Sequence, residues 1–101
     1  MISLGFSTIG CPDYDIDQVI AIARENGYSG VEIRFLRGTV DLASLDEFSP
    51  RGIGETRRRF EDGGIDVIGI NTGIRMVSLD PAVRAQQMEA ARIHTDMAAA
   101  L

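Results

Sequence analysis

Apolar and polar positions alternate in three short stretches of the chain, and each stretch precedes a segment with helical spacing. The first, ISLGFS at 2–7, places its large side chains on every second position. The second, GVEIRF at 30–35, interrupts its apolar residues with Glu32 and Arg34. The third is IDVIGIN at 65–71. We predict three strands at these positions.

The first helix is predicted from signals at both of its ends. Asp15 and Gln18 have the spacing of a capping box, in which the N-cap side chain and the Gln side chain exchange hydrogen bonds with the backbone. Asn26 and Gly27 form a stop signal. A helix is therefore predicted over 16–26. Its apolar positions at helical spacing are Ile16, Val19, Ile20 and Ala23.

The second helix is predicted to begin at an N-cap serine followed by proline. Ser49 supplies this signal, and the predicted helix covers 50–62. Two internal glycines weaken the helix, because each costs about 1 kcal/mol relative to alanine. The preceding segment, 36–48, is expected to be a loop with one helical turn near Leu42 and Leu45.

The third helix begins with the same type of signal. Asp80 is the expected N-cap and Pro81 the first helical residue. The helix is rich in alanine and is predicted to run from 81 towards Leu101. One face is expected to be apolar. Its members are Val83, Ala90, Ile93, Met97 and Leu101.

The resulting order, β-α-β-α-β-α, predicts an α/β fold with parallel strands. Each predicted strand has an apolar face and a small or polar face. In the third strand, Ile68 and Ile70 are expected opposite Val67, Gly69 and Asn71. A doubly wound sheet needs apolar residues on both faces, whereas a (β/α)₈ barrel admits polar residues inside. The pattern therefore favours a partial TIM barrel consisting of the first three βα units.

The chain is interpreted as one incomplete domain over 1–101. Three parallel strands leave two edges without a partner, and such edges pair readily with other chains. The last predicted helix ends in AAAL, without a glycine cap. We therefore expect these 101 residues to be the N-terminal part of a larger barrel.

Composition disfavours several partners. The net charge of −5 argues against a nucleic-acid or anionic-membrane partner. A single cysteine excludes an internal disulfide and a metal site built from cysteines. No apolar run approaches the roughly 18 residues that a membrane span needs. The N-terminus lacks the basic segment of a signal peptide, so a cytoplasmic location is expected.

Four other motifs have simple structural explanations. The GIG at 52–54 begins like a dinucleotide-binding motif, but Arg57 occupies the third glycine position and no strand precedes it. The basic run at 57–59 lies among acidic residues and is interpreted as a solvated helix face. His94 is expected on a helix surface, and Cys11 is interpreted as a plain loop thiol.

In a barrel, function resides at the carboxyl ends of the strands. Arg34 is suited to bind a carboxylate or phosphate, and Asn71 to hydrogen-bond a sugar hydroxyl. Arg34 is equally suited to neutralise a partner on a neighbouring strand inside the barrel, and this structural role is favoured for Glu32, which lies deeper in its strand. No catalytic or metal-ligating residue is assigned. The candidate substrate-side residues are Ser7, Thr8, Glu32, Arg34, Asn71, Thr72 and Arg75.

At these residues the chain resembles a known family. The stretch LGFSTIGCPDYDIDQVIAIARENGYSGVEIRF is similar to the opening of xylose isomerase-like TIM-barrel proteins, the sugar phosphate isomerase/epimerase group. The marks are a first strand ending in Phe-Ser-Thr and a Gly-Tyr-x-Gly-Val-Glu segment entering the second strand. The later stretch IGINTGIRMVSLDPAVR is similar too. The resemblance covers essentially the whole chain, which corresponds to about three-eighths of a barrel.

The resemblance implies a metal-dependent isomerase or epimerase that acts on a sugar, ketose or related polyol. A divalent metal ion (Mn, Mg, Zn or Co), bound by carboxylates and a histidine, helps move a proton between neighbouring carbons. Those ligands come from later strands, so this chain alone is expected to bind no metal and to be inactive.

Two alternatives stay open. The first is the endonuclease branch of the same superfamily, which cleaves DNA at abasic sites and which the negative charge disfavours. The second is a non-enzymatic partial barrel that assembles with another copy or another chain through its open sheet edges.

Overall fold

The computed structural model describes residues 2–75 and 77–101. These residues form three strands and three α-helices that alternate along the chain, so the predicted α/β order is confirmed. The elements are β1 (Gly5–Ser7), α1 (Ile16–Glu25), β2 (Gly30–Ile33), α2 (Ile53–Gly63), β3 (Asp66–Ile70) and α3 (Pro81–Ala100). Short 3₁₀ turns lie at Thr8–Gly10, Leu42–Ser44 and Asp46–Phe48.

The three strands form one parallel sheet in the order β1-β2-β3, which confirms the predicted parallel pairing. The strands are shorter than predicted: β1 loses residues at its amino end and β2 at its carboxyl end. In β1 only residues 5–7 pair, and β2 ends at Ile33 rather than Phe35. The carboxyl end of β1 lies at Ser7, as predicted, because a 3₁₀ turn follows directly at Thr8 and carries the backbone away from the ladder.

The two faces of the sheet are different. Val31 and Ile33 are buried in a core to which all three helices contribute, and we call this side the covered face. Gly30 and Glu32 belong to the opposite side, which we call the open face. The core consists of Ile16, Val19, Ala23, Val31, Ile33, Leu36, Leu42, Phe48, Phe60, Ile65 and Met97.

The predicted faces of β3 are wrong in part. The register of β3 against β2 shifts by one residue, because Val31 pairs with Val67 but Glu32 pairs with Gly69. The extra residue is Ile68, which is 64% exposed. Val67 and Ile70 therefore both pack against the core although three positions separate them. Strict alternation cannot survive such a bulge, and it had predicted Ile68 on the apolar face.

The capping signals of α1 are confirmed. The Gln18 backbone N–H donates to Asp15 Oδ1 at 2.9 Å, and the Asp15 N–H donates to Gln18 Oε1 at 2.9 Å. The helix ends at Glu25, one residue before the predicted end. Gly27 follows in the left-handed region with φ of +73°. Because glycine has no Cβ, this conformation brings the chain into β2 without strain.

The predicted start of α2 is wrong, because the helix begins at Ile53 rather than at residue 50. The Ser49 hydroxyl still accepts the Gly52 N–H at 3.0 Å, but this bond closes a turn ahead of the helix. A Cβ at Gly52 would overlap the Asp46 carbonyl oxygen. The helical turn predicted near Leu42 is present as a 3₁₀ turn, and a second turn follows it.

The basic run at 57–59 lies on the outside of α2, where Arg57 and Arg58 are exposed, as predicted for a solvated helix face. The Arg57 Nε–H donates to Glu61 Oε1 at 2.8 Å, and Arg58 pairs with a glutamate on the same helix. Arg59 instead reaches Asp17 on α1. Two of the three arginines therefore form ion pairs within α2, and the third forms an ion pair between α2 and α1.

The third helix begins as predicted, with Asp80 Oδ1 accepting the Ala82 N–H at 2.9 Å. Its predicted apolar face is only partly buried: Met97 is buried, whereas Val83 and Ile93 are exposed. Most of the first half of α3 lies away from the core, so the amphipathic pattern is used only near the end. None of the described helices is long and apolar enough to cross a membrane.

Candidate functional site

Polar side chains from all three strands meet on the open face near the carboxyl ends of the strands. The Ser7 hydroxyl donates to Glu32 Oε1 at 3.1 Å, and the Asn71 Nδ2 donates to the same oxygen at 3.3 Å. The Glu32 carboxylate therefore lies between donors from β1 and from the end of β3. We call Ser7, Glu32 and Asn71 the polar row.

The sheet register explains how this row forms. Ser7 and Glu32 are direct partners in the parallel pair of β1 and β2. The Asn71 N–H donates to the Ile33 carbonyl at 2.9 Å, which fixes the backbone just beyond β3. The bulge at Ile68 adds one residue to β3, so that Asn71 reaches the face that carries Glu32.

Arg34 lies beside the polar row without joining it through an ion pair. Its Nη1 donates to the Asn71 carbonyl oxygen at 3.3 Å, and its guanidinium carbon lies 5.9 Å from the centre of the Phe35 ring. Gly73 leaves room for the guanidinium, since a Cβ there would lie 3.7 Å from Nη2. In the part of the chain that the structure describes, the ion pairs include neither Glu32 nor Arg34.

Thr8 holds the backbone on which Arg34 is carried. Its side chain is completely buried, and its Oγ1 accepts the Arg34 N–H at 2.8 Å and the Phe35 N–H at 2.9 Å. Thr8 is thus not exposed to a ligand. Thr8 was predicted to be a substrate-side residue, but its side chain makes a supporting contact to the backbone instead.

Thr72 and Arg75 lie away from the polar row. Thr72 lines a cavity of about 400 Å³ between the end of β3 and α3, together with Ile74 and His94. The backbone N–H of Arg75 donates to Gln87 Oε1 at 2.8 Å, and its side chain is exposed. Of the predicted site residues, the structure therefore brings together Ser7, Glu32, Arg34 and Asn71.

His94 and Cys11 are both half-buried. The Nδ1 of His94 lies 2.7 Å from the Ala90 carbonyl, so this nitrogen carries the proton in a hydrogen bond within α3. Cys11 lines a shallow cavity of about 350 Å³ beside Phe6 and Tyr28. Partial burial raises the pKa of the Cys11 thiol, because the thiolate loses hydration. A raised pKa lowers the thiolate fraction and with it the reactivity of this cysteine.

The packing of Ile68 over two glycines on the open face was not predicted. Gly5 and Gly30 lie side by side on β1 and β2, and the Ile68 side chain occupies the space above them. A Cβ at Gly30 would lie 2.8 Å from Ile68 Cγ2, so the two glycines make room for this isoleucine. The sequence signal was two strand glycines at matching positions, which mark a close approach of another group.

The chemistry available at this site is that of binding. Glu32 accepts hydrogen bonds, Ser7 and Asn71 offer donors and acceptors, and Arg34 supplies a planar cation. Among residues 2–75 and 77–101, no three side chains of His, Cys, Asp or Glu converge closely enough to hold a metal ion.

The arrangement thus comprises a carboxylate, an amide, a hydroxyl and a guanidinium at one end of a parallel sheet. Such a set suits a small ligand with hydroxyl groups and a negative charge. Comparison of the chain with protein-family models, with curated proteins and with solved structures finds no match.

Proposed function

We propose that this chain forms the first three βα units of a xylose isomerase-like (β/α)₈ barrel, and that its polar row binds a sugar or sugar phosphate. The observation that carries the proposal is the meeting of Ser7, Glu32, Asn71 and Arg34 on the open face, near the carboxyl ends of the strands. Barrel enzymes place their substrate sites at that end.

The layer arrangement supports the barrel. The strands follow one another in chain order within the sheet, and a single core under all three helices covers one face. In a barrel, helices surround the outside and the other face of each strand lines the interior. The open face, with its polar row and its two glycines, has the composition expected of such an interior.

Each polar side chain has a proposed role towards the ligand. Glu32 accepts hydrogen bonds from ligand hydroxyls, because a carboxylate has more acceptor sites than its two protein donors occupy. Asn71 orients the same hydroxyls. Arg34 binds a phosphate or carboxylate of the ligand, since its guanidinium has more donors than its bond to Asn71 uses.

The reaction proposed for the whole protein is isomerisation or epimerisation with a divalent metal ion. The metal ligands and the catalytic base are assigned to strands beyond the three described, as in the family that the sequence resembles. Residues 1–101 supply substrate contacts only. The same proposal therefore predicts that this chain alone performs no turnover.

Turnover is tested with Mn²⁺ or Mg²⁺ and a panel of ketoses. We expect no isomerase or epimerase activity from residues 1–101, and activity from a longer product of the same gene that includes the later strands. Turnover by the 101-residue chain alone would contradict the assignment of metal and base to later strands.

Binding is tested separately by NMR titration with D-fructose 6-phosphate and with D-fructose. The amides of Ser7, Glu32, Arg34 and Asn71 should shift on titration, and the phosphorylated probe should bind more tightly. Arg34→Gln should remove this preference, whereas Arg75→Gln, at an exposed arginine away from the polar row, should leave it intact. Equal effects of the two variants would show that general charge, not the site, attracts the probe.

A second candidate function is self-association of partial barrels. Within the described residues, β1 and β3 each pair on one side only, and Ile68 presents a large apolar side chain on the open face. Both features favour pairing with another copy. Analytical ultracentrifugation at increasing concentration decides this, because a monomer across the whole range would exclude it.

A further inference from the structure

We propose that Thr8 is a positioning residue whose hydroxyl orients Arg34 towards the ligand. This inference rests on the proposed binding role of Arg34. The polar row itself does not include Thr8, and its buried side chain cannot touch a ligand. Its effect on binding is therefore indirect and acts through the backbone of β2.

Thr8 lies where β1 and β2 stop pairing. Their last paired residues are Ser7 and Glu32, because β1 turns into a 3₁₀ helix at the next residue. Beyond that point β1 offers no ladder carbonyl to β2. The N–H groups of Arg34 and Phe35 would then lack ladder partners in a partly buried part of the protein.

The Thr8 hydroxyl takes the place of the missing ladder carbonyl. Its Oγ1 accepts both N–H groups, at 2.8 Å from Arg34 and 2.9 Å from Phe35. The two bonds come from consecutive residues, so they fix the backbone on both sides of the Arg34 Cα. Thr8 therefore fixes the direction in which the Arg34 side chain leaves the backbone.

The second anchor of Arg34 is on the other neighbouring strand. The Ile33 carbonyl accepts the Asn71 N–H, and the Asn71 carbonyl in turn accepts the Arg34 Nη1. The guanidinium is thus held from β3 and its backbone from β1. Loss of the Thr8 hydroxyl should remove both hydrogen bonds to the backbone at Arg34. The Arg34 side chain would then be held by the hydrogen bond from its guanidinium to Asn71.

The chain offers a matched control in Thr56. This residue is also a buried threonine, 2% exposed, and its hydroxyl donates to the Glu47 carbonyl at 2.6 Å at the base of α2. Replacement of either threonine by valine preserves shape and removes one buried hydroxyl. Only Thr8 contacts the Arg34 backbone, so an effect confined to Thr8→Val separates positioning from a general loss of stability.

The first measurement needs no ligand. The Nε–H group of Arg34 should show the restricted fast motion of an ordered side chain by ¹⁵N relaxation in wild type, in Thr8→Ser and in Thr56→Val. It should become mobile in Thr8→Val. An unchanged Arg34 signal in Thr8→Val, or an equal change in Thr56→Val, overturns the proposal.

The second measurement is the dissociation constant for D-fructose 6-phosphate and for D-fructose. Thr8→Val should weaken binding of the phosphorylated probe about tenfold, because a mobile Arg34 side chain loses conformational entropy when it binds the phosphate. It should change binding of the neutral probe much less, and Thr8→Ser should restore both. Equal weakening of the two probes overturns the role of Thr8 in orienting Arg34.

The outcomes separate this inference from the proposed function. If wild type binds neither probe while Arg34 becomes mobile only in Thr8→Val, the proposed ligand is wrong and the positioning contact stands. If Thr8→Val does not fold, hydrogen exchange in wild type decides. The amides of Arg34 and Phe35 must then be protected to a similar degree, and fast exchange of either amide overturns the proposal.

Discussion

The covered and open faces of the sheet differ in what fills the space above each strand. Above the covered face lie apolar side chains from all three helices, and Val31 and Ile33 are completely or almost completely buried. Above the open face lie two glycines, one exposed isoleucine and the polar row. The same three strands thus carry two environments that alternate residue by residue along β2.

This difference separates stability from the proposed chemistry. Burial of apolar area stabilises the fold mainly through the covered face. On the open face, Ile68 is mostly exposed and the other side chains are small or hydrogen-bonded, so this face adds less apolar burial and keeps polar groups accessible. Substitutions on the two faces should therefore differ in the size and in the kind of their effect.

The largest expected effect is that of Ile33→Ala on the covered face. Ile33 is 1% exposed, and removal of its buried methyl groups should lower the free energy of unfolding by about 2–5 kcal/mol. Ile68→Ala on the open face is the matched control and should cost less than about 1 kcal/mol, because most of that side chain contacts water. Urea denaturation measures both values.

Equal losses for Ile33→Ala and Ile68→Ala would break the comparison, since they would require a covering layer over the open face. Where Ile33→Ala proves too unstable to measure, Ile33→Val provides a smaller step of about 0.5–1.5 kcal/mol. Its cost should still exceed that of Ile68→Val.

The next largest effect concerns the contact between Gly30 and Ile68 on the open face. Gly30→Ala should lower the free energy of unfolding by about 1–3 kcal/mol, because the new Cβ would lie 2.8 Å from Ile68 Cγ2. In the Ile68→Ala background the same substitution should cost little, since the other atoms near that Cβ lie at 3.5 Å or more. A double-mutant cycle by urea denaturation measures this coupling.

Gly5→Ala supplies the control for that cycle. A Cβ at Gly5 would lie 2.9 Å from Ile68 Cδ1 but also 3.2 Å from the Gly30 carbonyl oxygen, which is backbone and cannot move aside. Gly5→Ala should therefore remain costly when Ile68 is shortened. If Gly30→Ala costs as much with alanine at position 68 as with isoleucine, the contact between these residues is not what limits the site.

A smaller effect is expected from the polar row. Glu32→Ala removes the acceptor for the Ser7 hydroxyl and the Asn71 amide, and should cost about 1 kcal/mol because water can replace part of what is lost. Glu32→Gln, which retains one carbonyl acceptor, should cost less. The measurements are urea denaturation and the NMR shifts of the Asn71 side-chain amide. A loss as large as that of Ile33→Ala would place the row in the stabilising core.

The elements with strong local signals were predictable from the sequence. The capping box of Asp15 and Gln18 gave the start of α1 correctly, because its hydrogen bonds involve only neighbouring residues. The start of α2 was wrong because Ser49 caps a turn whose geometry depends on the close approach of Gly52 to Asp46. That approach lies within the irregular segment before the helix and has no marker in the pattern of apolar and polar residues.

The position of the candidate site and four of its residues were predictable from the sequence. Its position at the carboxyl ends of the strands followed from parallel topology, and Ser7, Glu32, Arg34 and Asn71 do lie together. Thr72 was predicted to lie with them, but it lines the cavity beside α3 instead. Neither the bulge at β3 nor this position of Thr72 has a marker in the alternation of apolar and polar residues.

The smallest expected effect tests the outer surface above the covered face. Arg59 on α2 pairs with Asp17 on α1, and the two side chains are partly and mostly exposed. An exposed ion pair contributes about 0–1 kcal/mol, because water screens the charges and ordering the side chains costs entropy. The coupling energy from the cycle Arg59→Met and Asp17→Asn should therefore lie below about 1 kcal/mol and decline in high salt. A coupling comparable with the loss in Ile33→Ala would mean that ion pairs, rather than apolar burial, hold the helices over the sheet.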